Sequence, residues 1–160
     1  MDFKIILIET PPECNVILGQ THFIKSVEDI YDALASSAPG IQFGLAFCEA
    51  SGECLIRAEG NNYDLKQSAA KQAFTLGCGH SFIIFMKGAY PVNVLTQLKA
   101  VPEVCGIYAA TANPLQVIVA ESSQGQGIVG VIDGFKPKGI EEENDVQRRH
   151  ILLIEMGYRP

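Results

Sequence analysis

Tryptophan is absent from this chain, so any aromatic stacking on a ligand must come from phenylalanine, tyrosine or an aliphatic clamp. Long apolar runs are absent too. The longest, such as residues 82–86, reach about five residues, whereas a membrane helix needs roughly 20. The N-terminal stretch is broken by Glu9 and lacks the long apolar region of a secretory signal, so a cytoplasmic setting away from membranes is expected. No block of Lys and Arg occurs and the net charge is −6. That argues against nucleic acid as a partner, because binding its backbone needs clustered cations. The five cysteines are odd in number and form no Cys-x-x-Cys pair, which predicts reduced, mostly buried thiols rather than a zinc or redox site. Linkers, repeats and low-complexity stretches are missing, and one domain over residues 1–160 is expected. A Walker loop is missing as well: residues 134–139 have its glycine spacing, but Ile140 and Glu141 stand where Lys and Ser/Thr are needed.

What is present is ordinary globular material, 48% hydrophobic and 19% charged, with enough length for one buried core. Strands are predicted over residues 3–9, 14–20, 41–48, 54–59, 80–87, 104–110, 115–121 and 127–132. Helices are predicted over 27–35, 64–76, 91–101 and 141–156. The first of these carries Val27, Ile30, Tyr31 and Leu34 at helical spacing, with Ser26 as the expected N-cap and Asp29 three residues on. Gly77 and Gly79 stop the second helix and Pro91 opens the third. Hairpins mixed with strand–helix–strand units predict an α/β (α+β-like) fold: a mixed β-sheet with about four helices packed on it.

Few residues carry chemistry. Gly125, Gly127 and Gly130 fit the G-x-G-x-x-G pattern, but strand rather than helix follows them, so a dinucleotide loop is a poor reading. They either shape a hairpin or present bare backbone N–H groups to phosphate oxygens. There are three histidines. His150, beside Arg148 and Arg149, reads as a surface residue. His80 opens the most apolar strand, as a core histidine or as part of a pocket. His22 stands where a strand ends and a helix begins, the usual place for ligands in α/β folds, and a histidine there can act as base or nucleophile. Lys136 and Lys138 are candidates for holding phosphate, and Asp133 for holding Mg²⁺ or a hydroxyl, against the plainer reading of a solvated loop. Glu121 is either a ligand contact or an edge residue. No set of metal ligands stands out.

Four segments, residues 15–34, 44–60, 79–95 and 113–141, together resemble the adenosine-specific kinases, a family of small α/β domains common in archaea and some bacteria. The combination of GQTHFIK, GHSFIIF and VIDGFKPKG carries the resemblance. It implies a domain that binds adenosine or AMP, phosphoryl transfer, a histidine able to carry phosphate, and a homo-oligomer, a trimer. His22, within GQTHFIK, is where that resemblance puts the phosphate; His80, within GHSFIIF, is the alternative. ATP or another phosphoryl donor with Mg²⁺ would serve the reaction, and no tightly bound organic cofactor is expected. The competing function is a module that binds or senses adenosine or AMP without turnover.

Overall fold

The computed structural model, which describes residues 1–160, puts the most apolar run of the sequence at the middle of a sheet. In chain order the elements are β1 (Asp2–Ile8), β2 (Asn15–Thr21), α1 (Ser26–Ala35), β3 (Gln42–Cys48), β4 (Ile56–Gly60), α2 (Tyr63–Leu76), β5 (Ser81–Lys87), α3 (Pro91–Ala100), β6 (Val104–Thr111), β7 (Leu115–Glu121), β8 (Gln126–Asp133) and α4 (Glu143–Glu155). The α/β domain with four helices is as expected. The strands, expected in one mixed sheet, divide into two antiparallel sheets of order β4-β3-β5-β2-β6 and β1-β7-β8. The one parallel pairing is an isolated bridge between Cys78 and Gln126.

Side-chain alternation explains the division. Phe82, Ile84 and Met86 of β5 pack with Ile17, Phe43, Leu45 and Phe47 under α1 and α3. Ile83 and Phe85 point the other way, as strand geometry requires. On that second face α2 covers β3, β4 and β5 and leaves the β2–β6 side open. A second sheet closes it, burying Leu115, Val117 and Val119 in the same cluster as Val16, Leu18 and Ala109. Both faces of the large sheet are therefore covered, by helices on one side and by helix plus sheet on the other.

Helix termini follow local chemistry with one correction. Asn62 caps α2 by accepting the Leu65 N–H at 3.0 Å, and Gly77 ends it in a left-handed conformation, φ 60°. Ser26 is not a cap: Lys25 holds that position and makes no side-chain cap bond. The Ser26 hydroxyl instead lies 2.7 Å from that of Thr21, both fully buried, and ties the end of β2 to the start of α1.

Two apolar surfaces are left bare. Phe3, Ile5 and Leu7 of β1 are exposed on the outer face of the small sheet, and α4 buries none of its residues while exposing Ile151, Leu152 and Ile154. No helix is long and apolar enough to cross a membrane.

Candidate functional site

A cleft of about 780 Å³ opens where the two covers of the large sheet meet, between the end of α2, the β3–β4 connection and the β7–β8 hairpin. After Gly77 the chain turns sharply to enter β5, and His80 absorbs the turn with φ 61°, a left-handed conformation uncommon for a residue with a side chain. Its N–H donates to the Cys48 carbonyl at 2.8 Å and its carbonyl accepts the Thr21 N–H at 2.9 Å, which locks the strained backbone between β2 and β3. Cys54, φ 50°, is a second left-handed residue in the same cleft wall. Strain of this kind persists only where the surroundings enforce it, and it gathers at functional sites.

The His80 ring stacks on Phe47 with centroids 5.8 Å apart and an interplanar angle of 18°. Its Nε2 stands 4.0 Å from Glu49 Oε1. Glu49 is itself fixed. Oε1 accepts from the N–H groups of Ala50 and Ser51 and from the Ser51 hydroxyl, and Oε2 pairs with Arg57 at 2.9 Å. Burial alone would push this carboxyl up, but the Ser51 hydroxyl, the two N–H groups and Arg57 outweigh it and hold the group below the usual carboxylate range. An oriented carboxylate beside an imidazole is the arrangement that fixes a tautomer and stabilises positive charge on the ring.

The opposite wall is the β7–β8 hairpin. Gly125 closes it, its carbonyl accepting the Ser122 N–H at 2.9 Å, and Gly127 follows in β8 opposite Ala120. These glycines do shape a hairpin, and both line the cleft. Glu121 lines it too and pairs with Lys4 at 3.0 Å. Gln126 Oε1 is buried in this wall without a hydrogen-bond partner. Sequence reasoning missed Glu49 and Gln126, because nothing in the local pattern distinguishes them from turn and strand residues.

The remaining candidates lie elsewhere. Gly130 lies further along β8, next to a β-bulge at Val129. Asp133 ends that strand, about 23 Å from Gln126 at the usual rise per residue, and the exposed Lys136 and Lys138 lie beyond it. These three do not join His80. His22 is exposed and outside the cleft lining, although its N–H donates to the Glu103 carbonyl at 3.1 Å only one residue beyond Thr21. His150 is exposed on α4.

No lysine or arginine lines the cleft, and its two carboxylates are already ion-paired. No group of three or more His, Cys, Asp or Glu side chains converges to hold a metal. A Mg²⁺ ion would be carried mainly by substrate phosphates. Such an ion would neutralise phosphate charge.

Behind His22, the carboxyl groups of Asp29 and Glu103 meet. The hydrogen bond from Glu103 holds Asp29 below its ordinary range, and the same bond, with burial, pushes Glu103 up. One shared proton explains why Glu103 Oε2 has no other partner. A folded-state value raised above the unfolded one favours the fold fully below the unfolded value, near 4.5, and the benefit fades as pH rises through the raised value. Glu103→Gln keeps a donor for Asp29 and does not titrate. In urea melts it should match the wild type at pH 4 and exceed it at pH 7.5.

Similarity to known proteins follows the whole domain. A family model described as adenosine specific kinase matches residues 6–159. The crystal structure of the PH1918 protein from Pyrococcus horikoshii OT3 is 43% identical, covers 99% of this chain and 98% of its own, and superposes with a TM-score of 0.95. Among curated proteins no match was found.

Proposed function

Because the chain belongs to the adenosine-specific kinase family, we propose that it binds adenosine and AMP in the cleft and moves a phosphoryl group onto adenosine through a phosphohistidine. The observation that carries this reading is His80, held in a strained backbone at the cleft with Glu49 beside its ring. His22 fits the role less well because it lies outside the cleft lining. Glu49 favours the tautomer that keeps the proton on Nε2 and stabilises the positive charge that develops on the ring, so the Nδ1 lone pair is free to attack the terminal phosphorus of ATP. The bond from that phosphorus to the bridging oxygen breaks and ADP leaves. The 5′-hydroxyl of adenosine then attacks the phosphorus, the N–P bond breaks and returns its electron pair to Nδ1, AMP forms, the neutral ring is restored, and the hydroxyl proton is released to solvent. Positioning and charge stabilisation supply the rate.

Oligomerisation fits the two bare apolar surfaces on β1 and α4, and we assign the working form as a homotrimer. Five free cysteines suit a cytoplasmic setting. A second reading, a sensor without turnover, draws on a cleft lining that holds no lysine or arginine side chain, which suits an uncharged nucleoside better than its phosphate.

Gly127→Val tests the cleft directly. A Cβ at this position meets nothing within 4 Å, so the fold survives, while the branched side chain fills the space beside the hairpin backbone. By calorimetry the variant should lose AMP affinity about tenfold, roughly 1.4 kcal/mol, and adenosine affinity much less. Equal affinities for both ligands before and after the change would remove phosphate from this wall.

A further inference from the structure

A second cavity, of about 550 Å³, lies at the opposite end of the central strands from the cleft. Its wall includes Asn15, the first residue of β2, paired with Met86 of β5, whereas the cleft residue Gln20 pairs with Ser81. Five residues of strand separate the two, about 17 Å. Nothing in the cleft chemistry uses this cavity.

Its lining brings together a free amide, an unpaired ammonium group and the start of a helix. Asn15 is only 9% exposed and opens into the cavity, and no protein group hydrogen-bonds its amide. Buried polar side chains are nearly always paired, so an unpaired one facing a cavity points to a ligand. Lys87, half-buried at the end of β5, forms no ion pair. The N-terminus of α3 also opens here. Tyr90 and Asn93 of its first turn line the wall, with the Tyr90 N–H capped by Asn93 Oδ1 at 2.8 Å. A cation and a helix N-terminus together favour an anion. Tyr158, just beyond α4, is the second aromatic ring in the lining, and Glu13 is held there in a left-handed conformation, φ 62°.

We propose that this cavity is a second ligand site, for a phosphate-bearing small molecule with a planar ring, the class of a mononucleotide. Lys87 and the α3 N-terminus take the phosphate, and Asn15 pairs with the ring edge. Tyr90 and Tyr158 flank the ring, and Glu13 accepts a sugar hydroxyl. Because Tyr158 follows a helix that buries none of its residues, the ligand also fastens the C-terminal segment to the body.

The probe is AMP, titrated into the full-length protein and followed by the amide signals of Gly88 and Asn93 and the ring signals of Tyr158. The wild type should show saturable shifts there as well as at cleft residues. Inorganic phosphate should shift Gly88 and Asn93 but leave the Tyr158 ring unmoved. Lys87→Met should weaken the response at this cavity at least tenfold and leave the cleft response unchanged. Asn15→Asp, which sets a negative charge against the ligand at nearly constant size, should also weaken it. Shifts confined to the cleft would overturn the proposal, as would a response at Gly88 that survives in Lys87→Met. The cleft variant Gly127→Val should leave these shifts intact, so this site and the kinase reading fail separately.

Discussion

His80→Asn protein should take up no phosphate from ATP and Mg²⁺, whereas His22→Ala protein should gain one phosphate per chain. Asparagine is the informative replacement at position 80. It tolerates the left-handed backbone that His80 occupies, so the turn into β5 survives, yet an amide is not a nucleophile. The His80 side chain is 39% exposed, so little packing is lost. Intact mass before and after incubation reads the result, and the modification should be lost in acid and kept in base, as an N–P bond is. The same His80→Asn protein should form no labelled AMP from adenosine. Uptake retained in His80→Asn and lost in His22→Ala would transfer the role to His22. The absence of any acid-labile phosphate in the wild type would leave the sensor reading standing.

Gly44→Ala should be the most damaging single change to the fold. Gly44 lies in β3 where the α2 backbone crosses it, and a Cβ there would overlap the backbone of Leu65 and Lys66. Neither atom belongs to a flexible side chain, so relief requires α2 to lift from the sheet, opening the contacts of Leu65, Ala69 and Ala73 with Ala46 and Ile83. The cost expected is about 3 kcal/mol or more, toward the upper end for overpacking. Gly106→Ala is the control: a Cβ there meets nothing within 4 Å, and its effect should stay within about 0.5 kcal/mol. Urea melts of the two proteins give the comparison.

Most elements were legible because their signals are local. The apolar run at residues 82–86 marks β5, the spacing of Val27, Ile30 and Leu34 marks α1, and Gly77 marks the end of α2. Sheet membership was not legible, because it depends on which face α2 leaves uncovered. The Ser26 hydroxyl was misjudged for a related reason: as a cap it needs a local donor, and the buried partner it found, Thr21, comes from the preceding strand. The cleft was half legible. His80 and the glycines of the β7–β8 hairpin are visible as residue types, but their meeting with Glu49 depends on where the β3–β4 connection falls in space.

The pairing of β1 sets the timing of synthesis. β1 bonds to β7 alone, and β7 begins about a hundred residues later in the chain. At roughly 5–20 residues per second, β1 waits about 5–20 s for its partner to be made. Throughout that interval β1 travels unpaired, with Ile6 and Ile8 of its inner face uncovered as well as Phe3, Ile5 and Leu7 of its outer one. The large sheet offers no early shelter, since β2 must wait for both β5 and β6. The nascent domain is therefore a natural client for a chaperone at the exit tunnel, and its soluble yield should depend on how quickly the last third is translated.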